Sequence, residues 1–180
     1  MSTERVIVQK EVSDELIDTV TALAKNIRAG NKADSQIPAL TSKEFVPRVL
    51  SLIQDAKDRG GQILVGDITA EGSQIKPHIV LGVEPGWPLW DQESFGPVFG
   101  IKVVDTEEEA VALANATDYS LTAAIWTKDL AKGMRLGRQV RAGAFPFDLC
   151  YIIPYHFQGF VQINGPTLAS EPGLTIRGLG

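Results

Sequence analysis

Residues 91–98, Asp-Gln-Glu-Ser-Phe-Gly-Pro-Val, place a carboxylate and an aromatic ring two positions apart, directly before a turn. A Gly-Pro pair is a strong turn signal, and the proline keeps the preceding glycine out of the right-handed helical region. The apolar run 98–104 that follows predicts a buried strand. Glu93 and Phe95 are therefore predicted to lie on a stiff turn at the mouth of a strand, where both can contact a ligand.

Two further groups of side chains are candidates for lining a pocket. Trp87 and Trp90 precede the Glu93 loop, and they either cover a pocket beside it or pack in the core. Segment 145–160 is densely aromatic and apolar, unlike its flanks, and it has three open interpretations: a pocket lining, a patch that needs a partner, or a translated non-coding insertion. Its candidate acid–base groups are Asp148, Tyr151, Tyr155 and His156.

Composition and cysteine usage narrow the classes of function. The single cysteine, Cys150, has no basic neighbour except His156, so a buried inert thiol is favoured over a nucleophile. With two histidines and one cysteine far apart, no metal site is expected, and His78 is assigned no role. One cysteine also excludes an intramolecular disulfide and favours a reducing compartment, which we take to be the cytoplasm.

Charge and hydropathy argue against two kinds of partner. The formal net charge is −5 and no basic cluster is present, so neither nucleic acid nor an anionic membrane surface is an expected partner. No apolar run approaches the ~20 residues of a membrane span. The first residues carry no secretory signal pattern, so secretion is not indicated.

Strand and helix patterns alternate along the chain. Strands are predicted at 6–8, 62–65, 98–104 and 121–126. A further strand at 75–83 is interrupted by Pro77, which favours a place near a sheet edge. The alternation predicts an α/β fold with a largely parallel open sheet flanked by helices, in one domain.

Local signals predict where helices begin. Ser13 is a predicted N-cap, and Thr106 with Glu109 has the spacing of a capping box. Pro47 would cost about 3 kcal/mol inside a helix, so we favour a late start that places it in the first turn. A cationic helix is predicted over 128–141.

The motifs resemble, in order, the second half of the aldehyde dehydrogenase catalytic domain. Glu-x-Phe-Gly-Pro-Val at 93–98 is followed by a strand and by Asp-Thr-Glu-Glu-Glu-Ala at 105–110. The resemblance covers most of residues 2–144 and 161–173, and segment 145–160 is an insertion relative to the family. Further segments similar to the family lie at 2–9, 112–115, 118–123 and 163–167.

The resemblance implies a chemistry and a role for two residues. In this family a cysteine thiolate attacks an aldehyde, hydride passes to NAD or NADP, and a glutamate base activates water to hydrolyse the thioester. The resemblance implies that Glu93 bonds the nicotinamide ribose hydroxyls and that Phe95 packs beside the nicotinamide. It also aligns the family's nucleophile just ahead of Met1, and the base, the oxyanion asparagine and the dinucleotide-binding domain further upstream.

The expectation is a truncated family member formed by one partial catalytic domain. No Gly-x-Gly-x-x-Gly motif is present, so useful binding of NAD or NADP by this chain alone is not expected. The chain is then a binding or assembly module without redox activity of its own. Two alternatives stay open. One is aldehyde oxidation as in the family, alone or with a dehydrogenase partner or as a homo-oligomer. The other is a cofactor-free isomerase or cyclase that uses segment 145–160 to hold a small apolar or aromatic metabolite.

Overall fold

The computed structural model describes residues 3–119, 122–142 and 160–165, which divide into one unit of residues 3–110 and a second unit from residue 111 onward. Helix α4 begins in the first unit and ends in the second. The elements of the first unit are β1 (Arg5–Gln9), α1 (Lys10–Lys25), a 3-10 turn (Lys43–Phe45), α2 (Val46–Asp58), β2 (Gln62–Val65), β3 (Ala70–Glu71), β4 (Gln74–Ile75), β5 (His78–Leu81), α3 (Pro88–Asp91) and β6 (Val98–Val104). The remaining elements are α4 (Glu107–Asn115), β7 (Thr122–Ile125), α5 (Leu130–Gly137) and β8 (Phe160–Ile163).

The first unit is built on a four-stranded sheet of order β1-β6-β5-β2. The pairs β1–β6 and β5–β6 are parallel, and the pair β2–β5 is antiparallel. The largely parallel α/β fold is therefore confirmed. The edge position predicted for the strand after Pro77 is wrong, since β5 lies between two partners. Pro77 falls just before its first residue, where the missing amide interrupts no ladder.

Helices cover both faces of this sheet. On one face α1 packs against a buried cluster that includes Ile79 and Ile101. On the other face Val80, the next residue along β5, lies next to Gly61, three residues beyond the end of α2. Because successive strand residues point to opposite faces, α1 and α2 enclose the sheet from two sides.

Helix α1 begins earlier than its sequence signal suggested. Its N-cap is Gln9, in extended conformation at the end of β1. Ser13 lies inside the helix, buried, and its hydroxyl donates to the carbonyl of Lys10 at 2.9 Å. The N-cap prediction for Ser13 is therefore wrong, because the chain turns directly from strand to helix and leaves no linker for a cap.

Helices α2 and α4 begin as their sequences predict. Pro47 occupies the first turn of α2, after a 3-10 turn capped by Ser42, so the late start is confirmed. In α4 the amide of Glu109 donates to Thr106 Oγ1 at 3.1 Å, and Glu109 Oε2 accepts from the amide of Asp105 at 3.0 Å. The cap predicted for Thr106 is therefore confirmed, but the return bond of Glu109 goes to the amide of Asp105, one residue before the N-cap position of the usual capping box.

The second unit contains the parallel pair β7–β8, in which Ile125 is opposite Ile163. Beyond this last rung, Asn164 Oδ1 accepts from the amide of Thr127 at 2.8 Å and Asn164 Nδ2 donates to the carbonyl of Thr127 at 2.9 Å. The side-chain amide of Asn164 thus makes the pair of hydrogen bonds that a neighbouring peptide group would make at the end of the ladder. The predicted helix over 128–141 is shorter than expected, since it is capped by Asp129 and ends at Gly137.

Among the described residues, every helix is too short or too polar to span a bilayer. No group of three or more histidine, cysteine, aspartate or glutamate side chains there could hold a metal ion.

Candidate functional site

The candidate site is the loop 92–97, which connects α3 to β6 and carries Glu93 and Phe95. Ser94, between them, is fully buried. Its hydroxyl accepts from the amide of Gly96 at 3.2 Å and donates to the carbonyl of the same residue at 3.4 Å. The buried serine therefore folds the loop around its own side chain and turns the residues on either side of it outward.

Arg48 of α2 holds the loop from one side. Its Nη2 donates to the carbonyl of Glu93 at 2.8 Å, and its Nη1 donates to the carbonyl of Ser94 at 3.2 Å. The planar guanidinium presents several donors in a fixed fork, so one side chain binds two consecutive carbonyls. The positions of residues 93 and 94 are thereby coupled to α2.

The start of β1 holds the loop from the other side. Glu4 Oε2 accepts from the amide of Ser94 at 3.3 Å, and Arg5 Nη1 donates to the carbonyl of Trp90 in α3 at 2.7 Å. The main chain of Ser94 is thus bonded through both its amide and its carbonyl. A loop fixed at these points by distant elements is stiffer than its lack of regular structure suggests.

The two predicted ligand-contacting side chains differ in exposure. Phe95 is 72% exposed and its backbone has φ 51°, a left-handed conformation that is uncommon for a non-glycine residue. Glu93 is half-buried, and within the described residues its carboxylate makes no hydrogen bond or ion pair. The braced loop therefore carries, two positions apart, a carboxylate acceptor and an exposed aromatic ring.

This pair of groups suits a specific kind of ligand. A carboxylate can accept two hydrogen bonds from neighbouring hydroxyls of a sugar. An exposed ring offers a flat apolar surface to a planar heteroaromatic group. The left-handed backbone of Phe95, held in place by the bonds around the loop, is a kind of strain that is typical of functional loops.

The other predicted site residues are distributed differently. Trp90 is fully buried in α3 and belongs to the core, while Trp87, the N-cap of α3, is half-buried. The candidate groups of segment 145–160 lie outside the described residues, so the structure does not test whether they approach Glu93: Asp148, Cys150, Tyr151, Tyr155 and His156.

Sequence reasoning missed the residues that brace the loop. Arg48 is 45 positions from Glu93 in the chain, and no local pattern links it to the loop. Ser94 lies inside the motif, but no pattern in the neighbouring residues predicts that its side chain is buried. Glu4 and Arg5 could be associated with the loop only once β1 was known to pair with β6.

Known proteins resemble this chain in both sequence and structure. A family model described as the aldehyde dehydrogenase family matches residues 1–148. The chain is similar to the vanillin dehydrogenase of Pseudomonas fluorescens, with 32% identity over 181 aligned positions that cover 99% of this chain and 34% of the relative. It is 33% identical over 148 positions to the peroxisomal aminoaldehyde dehydrogenase 1 of Pisum sativum, covering 79% of this chain and 29% of the relative.

Solved structures give the same result. An NAD-dependent benzaldehyde dehydrogenase from Corynebacterium glutamicum superimposes with a TM-score of 0.79 and 26% identity, over 99% of this chain and 35% of that one. The glyceraldehyde-3-phosphate dehydrogenase GapN of Methanocaldococcus jannaschii, complexed with NADP, gives a TM-score of 0.78 and 27% identity, over 93% and 33% of the two chains. The chain spans about a third of the length of the curated relatives it matches. By sequence and by fold, this chain belongs to the aldehyde dehydrogenase family.

Proposed function

We propose that residues 3–110 form the nicotinamide-ribose side of an aldehyde-oxidising site, and that a polypeptide of these 180 residues has no redox turnover by itself. The observation that supports the first part is the braced loop, which presents a carboxylate without a protein partner among the described residues. The second part is supported by the share of the family that these residues span.

In this proposal Glu93 holds the cofactor by its sugar. The carboxylate accepts hydrogen bonds from the two ribose hydroxyls, and Phe95 supplies a surface for the nicotinamide ring. When bound, the nicotinamide accepts the electron pair that leaves the aldehyde carbon. The residues of this chain contribute orientation, because a reactive ring must be held in one position for transfer to be efficient.

The bracing of the loop determines how well Glu93 can do this. A carboxylate on a mobile loop would lose conformational freedom on binding, and that loss would reduce affinity. Arg48 and Glu4 remove this freedom before the cofactor arrives, since they bind the carbonyl and the amide of the peptide group that joins Glu93 to Ser94.

Complete catalysis in this proposal requires family segments beyond these 180 residues. Their one cysteine, Cys150, lies in the segment that departs from the family, and we assign it no role as nucleophile. A longer polypeptide, a dehydrogenase partner or a homo-oligomer is the assembly in which Glu93 would act. The scarcity of cysteine supports a reducing compartment such as the cytoplasm.

The first test uses the 180-residue polypeptide alone. It should form no reduced cofactor from NAD or NADP with vanillin or benzaldehyde as the probe aldehyde. Calorimetry should detect no NAD binding in the micromolar range. Turnover by material free of contaminating dehydrogenase would contradict the absence of activity, and micromolar binding would contradict the need for further segments.

The second test isolates Glu93. Residues 3–110 would replace the matching segment of the vanillin dehydrogenase of Pseudomonas fluorescens, and the chimera would be assayed with NAD. Glu93→Gln should weaken NAD binding about tenfold or more, because hydrogen bonds to a charged group contribute roughly 1.5–3 kcal/mol. A folded Glu93→Gln chimera with an unchanged KM for NAD would contradict the role given to this carboxylate.

A further inference from the structure

His78, the first residue of β5, is buried and bonded through both ring nitrogens. Its Nδ1 lies 2.8 Å from the carbonyl of Lys76, and its Nε2 lies 3.1 Å from the amide nitrogen of Ile68. A carbonyl can only accept and an amide can only donate, so Nδ1 carries the proton and Nε2 is bare. The geometry therefore requires the neutral form of the imidazole.

The ring closes a loop of chain against the sheet. Segment 66–77, which contains the β3–β4 hairpin, is bonded to the ring near both ends through Ile68 and Lys76. Gly66 packs directly against the ring, since a Cβ there would lie 2.1 Å from His78 Cδ2. Ile68 has φ 53°, which is strained for a β-branched residue and is held in place by the bond to Nε2.

The charged groups around the ring leave this arrangement sensitive to protons. Asp67 and Lys76 pair with each other at 2.6 Å, and Lys57 lines the adjoining cleft from the end of α2. Burial lowers the pKa of His78, while the Lys76 carbonyl and the Asp67 charge oppose that shift only in part. A proton on Nε2 would oppose the N–H of Ile68, so the new Nε2–H donor would have no acceptor, although Nδ1 would still donate to the Lys76 carbonyl.

We propose that His78 is an acid-sensitive clasp: when a proton from solvent binds Nε2, the Ile68 amide is released and residues 66–68 move away from the ring, while Nδ1 continues to hold the Lys76 carbonyl. The cleft of about 330 Å³ that Gly66, Asp67 and Ile68 line together with Lys57, Gly61 and Ile63 loses one wall when this happens. Strands β5 and β6 remain paired, because their contacts lie on the main chain and in the buried cluster around Ile79 and Ile101.

The direction of the pH dependence follows from proton linkage. The closed state binds the proton less readily than the open state, whose imidazole titrates near the ordinary value of 6.5. The clasp is therefore at full strength above pH 6.5. Its strength falls as the pH drops below 6.5 towards the lowered pKa of the closed state, by at most about tenfold per pH unit.

Hydrogen exchange of the full 180-residue chain tests the clasp. Between about pH 7 and about pH 5, the protection factor of the Ile68 amide should fall, by at most about thirtyfold, after correction for intrinsic exchange rates. The amide of Ile101 in β6 should keep its protection over the same range. Loss of protection at both amides together would mean global unfolding and would overturn the proposal, as would an unchanged Ile68 amide.

Two variants distinguish the effect of protonating His78 from that of protonating its charged neighbour Asp67. In His78→Gln the pH dependence of the Ile68 amide should disappear, and in Asp67→Asn it should persist. Should His78→Gln fail to fold, the wild-type ring resonances of His78 provide the measurement: the closed state should titrate below 6.5. An Ile68 protection factor that follows Asp67 rather than His78, or a ring that titrates at its ordinary value, would overturn the proposal.

Discussion

Replacing Arg48 by methionine should loosen the Glu93 loop and measurably destabilise the first unit. Methionine keeps most of the length of the side chain but removes both donors to the carbonyls of Glu93 and Ser94. Hydrogen bonds from a charged donor contribute roughly 1.5–3 kcal/mol each when buried. Arg48 lies at the surface and water can replace part of its contribution, so we expect a total loss of about 2 kcal/mol.

Arg59→Met is the matched control for this experiment. Arg59 caps the other end of the same helix and pairs with Asp55 at 2.8 Å, with both side chains substantially exposed. An exposed pair at this spacing contributes about 0.3–0.5 kcal/mol, so the control should lose about a quarter as much stability. Both substitutions remove one positive charge from the chain, and any general effect of net charge therefore cancels in the comparison.

Urea denaturation followed by tryptophan fluorescence measures the difference. Trp90 is fully buried in α3, whose end meets the loop, so its emission reports the first unit. The lost 2 kcal/mol corresponds to about 4–8 °C in melting temperature for a chain of this size. If Arg48→Met and Arg59→Met differed by less than about 0.5 kcal/mol, the guanidinium would not brace the loop and the reasoning would be refuted.

Three further predictions concern other positions. Asp67→Asn should cost at most about 1 kcal/mol of stability at neutral pH, since the pair with Lys76 is well exposed. The bond from Lys76 holds the pKa of Asp67 at about 2, so in a pH series of unfolding curves the difference from wild type should vanish as the pH falls from 3.8 towards 2. A difference that persisted at pH 2 would contradict this pairing. Gly133→Ala and Gly137→Ala, both in α5, should change the stability measured by thermal melts in opposite directions. The first places a Cβ 2.8 Å from a β8 side chain and should cost about 1–3 kcal/mol. The second meets only ordinary contacts at 3.6 Å and should gain up to about 1 kcal/mol. Equal effects would show that α5 does not pack on β8 as described. Thr106→Ala should cost about 1 kcal/mol in the same melts and Thr106→Ser almost nothing, because only the hydroxyl caps α4; equal losses would argue against the cap.

The parts of the fold that sequence predicted correctly depend on short-range signals. The cap at Thr106 and the late start of α2 at Pro47 involve residues within four positions of each other, and both are present. The strand 98–104 matches β6 in full, because an apolar run bounded by Gly-Pro leaves little choice of structure. The prediction for Ser13 failed because the direct passage from β1 into α1 has no local signature.

The candidate site was predictable only in part. The Glu93 loop could be located from its motif, but the groups that hold it come from α2 and from the start of β1. His78 was assigned no role because a lone histidine after a proline resembles any strand residue; its two backbone partners, at positions 68 and 76, become visible only when the hairpin folds back. Contacts that span a hairpin or join distant elements need the topology before they can be inferred.

The amide of Asn164 has an evolutionary consequence. The side chain fixes the alignment of β7 and β8 through two bonds between Asn164, directly after β8, and Thr127, just beyond β7. The number of residues joining the two strands is therefore free to change without moving either one, because correct alignment does not rely on a short connection. Lineages could add or remove sequence between positions 142 and 160 while the pair kept its geometry, which makes this connection a natural place for novelty to arise and for designed insertions to be accepted.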